Sequence, residues 1–430
     1  MTTRILLRSP RSPFESPSPF AVLERNLIGD NVGNLVFLDA AYRILARPDI
    51  ELAVDGFRLN PRDADRINER YDVYVVPFAN AFRRRFERNL ERWTDLVERL
   101  RIPVVVLGVG AQSNIQLDRE HLVPMERQTR RFVSAVLDRS PSIGVRGEFT
   151  ADWLRGLGFR DVEVIGCPSM FWAGERFHVE KRLPALDADS RIAITISPYR
   201  REMGPILMHH HARYPNLTYL PQESATLELL LMGRPTGASD PSTGIPVDLT
   251  HPMIREGKVR MFVHPWPWIS FLRETDFSFG TRIHGSIASL LAGTPAVLLA
   301  HDSRTLELAR YFEIPHRLLS EVPPDMDAAD LYADADYSSL VGGHPARWRV
   351  FSDYLARHGL THAFAAGGDG GAAFDARVAG LRHEVVVSRE MPARPTLGNR
   401  LLQARLAGRR RLRDWVRRAR ARRRGRGGAA

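Results

Sequence analysis

The sequence predicts an α/β protein built from two doubly wound domains that face each other across a cleft, with a basic C-terminal tail. Three observations predict it. Short branched-apolar runs alternate with stretches of helical period along most of the chain, the pattern of βαβ units and a mostly parallel sheet. At 430 residues the chain suits two domains at roughly 150 residues each. The alternation also lapses once, over residues 173–190, where Gly, Pro and Asp occur without periodicity, and restarts at Ile192. The expected boundaries are residues 1–185 for the first domain, 186–345 for the second, 346–393 for C-terminal helices and 394–430 for an Arg-rich tail.

Taken in order, Ile5–Leu7 reads as a first strand, and the Ser/Pro-rich residues 9–20 as a loop or a disordered piece. Residues 27–34, LIGDNVGN, form a turn before Leu35, Leu38, Tyr42 and Leu45 at helical spacing. Strands follow at 52–54 and 71–76, a helix at 90–100, and a buried parallel strand at 102–107, IPVVVL. That strand runs into the Gly-rich turn GVGAQSN. A helix at 126–138, a strand at 142–145 ending on Arg146, a helix at 148–156 and a strand at 162–165 complete the first unit. The second begins with the strand 192–196, a helix at 205–212, a strand at 217–220 and a helix at 226–232. Residues 233–249 read as a mobile insertion. A strand at 260–263, HPWPW and a helix at 269–273 lead to residues 276–295, DFSFGTRIHGSIASLLAGTP. In that stretch a strand ends, Gly280-Thr281 turns, and Ile283, Ile287, Leu290 and Leu291 form a helical stripe. A strand at 296–300, a turn and helix over 301–315, a helix at 346–361, a break at 366–372 and one more helix with a short apolar piece within 373–391 finish the chain.

Composition excludes several classes. The single cysteine, Cys167, rules out an internal disulfide framework and reads as a small buried side chain. No apolar run approaches the roughly 20 residues of a membrane span. The first residues lack the continuous apolar core of a signal peptide, so the expected location is cytoplasmic, or peripheral at the inner face of the membrane. The net charge of +11 is local. Residues 400–430 hold thirteen Arg and one Asp, which leaves residues 1–399 at −1. The tail reads as a basic amphipathic helix for an anionic membrane surface or as a solvated segment, with nucleic-acid binding disfavoured. No Walker A motif and no complete GxGxxG with a downstream acid occur, which argues against ATPase and dehydrogenase activity.

Arg282 and His284 stand where a strand ends and a helix begins, the edge at which open parallel sheets bind ligands. The free N–H groups there attract an anion, a guanidinium can fork onto carboxylate or phosphate, and an imidazole can move a proton near neutral pH. The competing reading is a solvated Arg and a capping His.

With these pieces in order, the chain resembles the polysaccharide pyruvyl transferase family, which shares a two-Rossmann-domain layout with GT-B glycosyltransferases. The resemblance spans roughly residues 25–320. Its motifs are Asn31-Val32-Gly33-Asn34, Gly108-Val109-Gly110-Ala111-Gln112-Ser113, Val145-Arg146-Gly147-Glu148, Gly166-Cys167-Pro168-Ser169, Arg282-Ile283-His284 with Gly293-Thr294-Pro295, and His301-Asp302-Ser303-Arg304. Where the family carries Asp, this chain has Asn34, Gly147 and Ser169, and where it carries Lys, Arg304.

The resemblance implies transfer of a pyruvyl unit from phosphoenolpyruvate to two hydroxyls of a sugar as a ketal. The partners are then a small anionic donor and a carbohydrate acceptor, with phosphoenolpyruvate as a substrate and no metal or other cofactor. The first domain becomes the acceptor side and the second the donor side. His284 and Arg282 are the catalytic candidates. Arg146, Arg304 and Asp302 are candidates for the donor anion. Arg146 could instead pair with Glu148 or Asp152, and Asp302 with Arg304 could simply cap a helix. Asn31, Gly33, Asn34, Gln112, Glu223 and His264 are candidates for the acceptor and the cleft, or turn residues. Trp266 and Trp268 read as sugar platforms or as packing, and His209-His210-His211 as a solvated patch rather than a metal site, since adjacent helical residues diverge. The alternatives are a GT-B-type glycosyltransferase using a nucleotide sugar and a non-catalytic envelope-associated sugar-binding protein.

Overall fold

The computed structural model describes residues 2–388 together with 404, 405 and 408. The first unit holds six strands: β1 (Thr3–Leu7), β2 (Ile50–Val54), β3 (Val73–Pro77), β4 (Val104–Leu107), β5 (Ile143–Val145) and β6 (Val162–Val164). The order β2-β1-β3-β4 is parallel throughout, with Leu7 opposite both Val54 and Val75. Val109 bridges to Val145 and brings in the parallel pair β5-β6. The sheet is thus doubly wound about β1 and β3. Its strands are runs such as VYVVP and VVVL, buried along their whole length because helices cover both faces.

The second unit holds β7 (Ile192–Thr195), β8 (Thr218–Tyr219), β9 (Arg260–Phe262), β10 (Phe277–Gly280), β11 (Ala296–Ala300), β12 (His316–Leu318) and β13 (Val385–Val387). The parallel order is β12-β11-β10-β7-β8, extended through a Tyr219–Val259 bridge to β9. Here strand order reverses between β7 and β10, so the loops after Thr195 and Gly280 flank the crevice where such sheets bind ligands. The α/β class and the two Rossmann-like units match the expectation from sequence.

Three local expectations are corrected, and a fourth is made specific. The Ser/Pro-rich segment after β1 is packed rather than disordered: the buried Arg11 donates to the Val263 carbonyl at 2.8 Å, and a helix spans Pro19–Arg25. The 233–249 insertion is anchored by the buried Ile245 and Val247 and by a Thr236 N–H to Val247 O bond of 2.9 Å. The helix expected at 346–361 spans Ser338–Arg357, with Pro345 inside it. The apolar piece near the end is β13, antiparallel to β9 on the sheet's edge.

The Ser338–Arg357 helix begins beside the second sheet and returns to the first, where the buried Tyr354 hydroxyl donates to Val106 O at 2.8 Å. No helix among the described residues is long and apolar enough to cross a membrane. The reading of residues 394–430 falls outside the described residues apart from 404, 405 and 408, where Arg405 pairs with Glu24 at 3.3 Å.

Candidate functional site

The helix Ile283–Leu291 starts directly after β10, with Arg282 in extended conformation at its N-cap and no side chain capping it. Ile287 and Leu290 of its apolar stripe are buried and Ile283 and Leu291 partly so, which fixes Arg282 and His284 at the crevice. Arg282 forms an ion pair with Glu223, sends Nε to Ile196 O at 3.4 Å, and lies 5.5 Å from the centre of the Tyr199 ring. Glu223 also accepts from Asn31 Nδ2 at 3.5 Å, and Val32 N–H donates to Gln222 O at 2.9 Å. The Asn31-Val32-Gly33 turn of the first domain therefore docks onto the strand-end loop of the second. A Cβ on Gly33 would lie 2.8 Å from both Asn31 Oδ1 and Gln222 Oε1, and 3.0 Å from the His284 Cβ.

His284 packs its ring 5.5 Å from Phe37 of the helix Gly33–Leu45, and its Nε2 faces Cys167 Sγ at 3.8 Å. Burial, then the guanidinium groups of Arg146, Arg304 and Arg282, push its pKa down to about 3. The imidazole is therefore neutral at pH 7, and an anion among those guanidinium groups would favour its protonation. Cys167 is a buried free thiol whose pKa burial raises, so it stays protonated beside that ring.

Arg146, at the end of β5, is buried, and its Nε has no hydrogen-bond partner. It does not pair with Glu148 or Asp152; Arg155 takes both, at 3.4 and 3.1 Å. The Arg146 side chain fills the space where a Cβ on Gly110 would stand, so the Gly-rich loop is shaped around the guanidinium. Arg304 pairs with Asp302, whose carboxylate also closes a capping box with Thr305 at the start of the helix Ser303–Phe312. The capping reading of this pair holds, and the Arg304 charge also acts on His284.

The other candidates divide. Gln112 accepts from Asn80 Nδ2 at 2.9 Å on the first-domain side. Asn34 spends its amide on the Ile28 and Gly29 carbonyls at 3.1 and 2.9 Å, which makes it a turn residue. His264 is corrected as a cleft residue: it caps the helix Pro265–Leu272 through Trp266 N–H at 3.2 Å, and its other nitrogen lies 2.8 Å from Pro13 O. Trp268 is buried in the core. His210 faces Ile206 O while His211 pairs with Glu256, and among the described residues no group of three or more His, Cys, Asp and Glu gathers as a metal site needs.

Sequence reasoning missed four contributors. Arg83, Tyr199 and Arg200 stand in no motif read from the sequence; Arg200 follows the end of β7 and Arg83 lies in the loop beyond β3. His301 opens a motif of the resemblance but has no role of its own there. Position just past a strand's C-terminal end was the available signal for Tyr199, Arg200 and His301.

The chain is similar in layout to several solved structures, all distant. The UDP-GlcNAc 2-epimerase of Methanocaldococcus jannaschii in complex with UDP-GlcNAc and UDP is 10% identical, with a TM-score of 0.44 over 81% of this chain and 98% of that one. That of Neisseria meningitidis bound to UDP-GlcNAc is 10% identical, with a TM-score of 0.38 over 88% and 100%. An α,α-trehalose-phosphate synthase (UDP-forming) from Burkholderia vietnamiensis is 9% identical, with a TM-score of 0.39 over 83% and 94%. No curated protein matches the chain in sequence. The family model for polysaccharide pyruvyl transferase matches residues 31–303, from the Asn31 turn to the start of the Ser303 helix. That span covers more than half of the chain and includes Arg146, Arg282 and His284, and the chain belongs to this enzyme family.

Proposed function

We propose that this enzyme transfers a pyruvyl group from phosphoenolpyruvate to two hydroxyls of a sugar, in a polysaccharide or its precursor, as a ketal. The observation that carries the reading is Arg146. Arg146 is buried and makes no ion pair among the described residues; its nearest acidic neighbour, Glu307, is itself raised to a pKa of about 7 by burial and offers it only partial compensation, so an anion would complete the site. Arg282 and Arg304 act on the same neutral histidine as Arg146, so the missing partner is a compact, multiply charged anion. Phosphoenolpyruvate has that charge and size.

The proposed roles follow from the positions. Donor binding among the arginines favours protonation of His284, which is held between Phe37 and Cys167. Its imidazolium gives a proton to C3, which becomes the methyl group and leaves oxocarbenium character at C2; an acceptor hydroxyl adds there and its proton returns to His284. The C2–O bond to phosphate then breaks, the second hydroxyl adds to C2, and its proton leaves with the phosphate. Arg282 and Arg146 hold the carboxylate and stabilise charge as it develops. Glu223, bridging Arg282 and Asn31, keeps Arg282 aimed into the crevice.

Calorimetric titration of the purified protein with phosphoenolpyruvate tests the reading. Saturable binding that drops at least tenfold in Arg146→Ala and Arg282→Ala is expected. Indifference to phosphoenolpyruvate with saturable binding of a nucleotide sugar would replace it with the glycosyltransferase reading.

A further inference from the structure

The residues already given roles leave a second cluster of unpaired polar atoms beside them. His301 follows the C-terminal end of β11, and its side chain is only 3% exposed. Neither of its ring nitrogens has a hydrogen-bond partner, and the nearest charge, Asp302 Oδ2, is 3.7 Å from Nε2. Asp302 is already committed to Arg304 and to the Thr305 cap. Arg200, in the loop after β7, sends Nη2 to the His301 carbonyl at 3.1 Å and leaves a buried Nε unpartnered. Arg83 approaches the same region from the first domain: Phe82 O accepts from Gln112 N–H at 3.1 Å, and the N–H of the next residue, Ser113, donates to Ser303 Oγ at 2.7 Å; the buried Nε of Arg83 is also unpartnered.

Arg304 ties these groups together: its charge acts on Arg83 and on His301. Burial, then the fields of Arg304, Arg85 and Arg146, lower the Arg83 pKa to about 10. No ion pair involves Arg83 or Arg200 among the described residues. Unpartnered nitrogens on three side chains, gathered at one helix start, describe a site shaped for an anion with several oxygens.

We infer that Arg83, Arg200 and His301, with Arg304, form a phosphate subsite that receives the phosphate end of the donor, while Arg282 and Arg146 beside His284 take its carboxylate end. The inference rests on the donor reading above and adds to it the division of the anion between two strand-end loops. It assigns ligand-binding roles to Arg83, Arg200 and His301, which lay outside the sequence-derived candidates. It also places the leaving phosphate against a set of cations, where charge builds as the C2–O bond breaks. Because Arg83 comes from the first domain and Arg200 from the second, phosphate also links the two domains.

The test uses three probes on the intact protein: inorganic phosphate, pyruvate and phosphoenolpyruvate, each titrated calorimetrically. Arg83→Gln, Arg200→Gln and His301→Gln are expected to weaken phosphate and phosphoenolpyruvate tenfold or more and to leave pyruvate within twofold. Arg282→Gln is expected to do the reverse for phosphate and pyruvate. Lysine at 83 or 200 keeps the charge and is expected to lose less than glutamine, and circular dichroism of each variant confirms the fold. Wild-type phosphoenolpyruvate binding with unchanged phosphate affinity in the three glutamine variants overturns the subsite alone. Failure of the wild type to bind either phosphoenolpyruvate or phosphate overturns both readings.

Discussion

His284 shows how one side chain's chemistry is set by its neighbours. Its folded pKa, about 3, lies below its ordinary 6.5, so the unfolded chain binds more protons between those values. The stability it contributes is present above pH 6.5 and falls as pH drops toward 3. Burial keeps the ring neutral first and the arginines add to it; an anion bound among them offsets their share. Proton uptake on phosphoenolpyruvate binding at pH 6 is therefore expected, and calorimetry in buffers of different ionisation enthalpy measures it. Zero uptake would mean that the anion does not reach His284. Gly33 makes the opposite point, since it contributes by having no side chain. Gly33→Ala presses on Asn31, Gln222 and His284 at once and is expected to cost about 1–3 kcal/mol, read by urea denaturation, with a loss of donor affinity.

At the scale of elements, the helix Glu148–Gly156 starts at Gly147 with no side chain of its own to cap it. The cap comes from the other domain. Glu307, on the helix Ser303–Phe312, accepts from Thr150 N–H at 2.7 Å and Thr150 Oγ1 at 3.0 Å. Gly147 is needed because the Glu307 side chain occupies the place of its Cβ. The departure from the family's Asp at this position thus has a physical counterpart: the carboxylate at the helix start is supplied across the interface. Glu307→Ala is expected to destabilise the protein by about 1–2 kcal/mol. Burial, only partly offset by Arg146, raises the Glu307 pKa from 4.5 to about 7. The folded state thus binds the proton more tightly, and wild-type stability falls as pH rises through that window. Glu307→Gln lacks this titration, so its stability relative to wild type is expected to improve between pH 5 and pH 8 in denaturant titrations.

Among the contacts that close the whole molecule, three are far apart in sequence. Asn31 reaches Glu223, Ser113 N–H donates to Ser303 Oγ at 2.7 Å, and Tyr354 carries the last long helix back onto the first sheet. The buried arginines lie in the crevice between the first two. Tyr354→Phe leaves Val106 O without its hydroxyl donor and is expected to cost about 1 kcal/mol. Chemical denaturation monitored by tryptophan fluorescence checks it; an unchanged midpoint would show that the returning helix does not hold the first sheet.

Several parts of this molecule are local in the chain and were legible there. Alternating branched-apolar and helical periods predicted both sheets, because burial on two faces forces continuous apolar strands whatever their neighbours are. The Arg282–His284 turn was legible because a strand end, a turn and an amphipathic helix are contiguous. Asn34 and His264 were misplaced because a turn residue and a cap look the same in sequence as ligand-binding groups until their partners are seen. Arg83, Arg200 and His301 were hidden because a charge looks solvated until distant segments remove the water around it. Sequence alone determined the class, the two units and the strand-end helix start that carries Arg282 and His284. Tertiary structure alone decided which cations lack a partner, since an unpaired buried charge is a property of everything that fails to reach it.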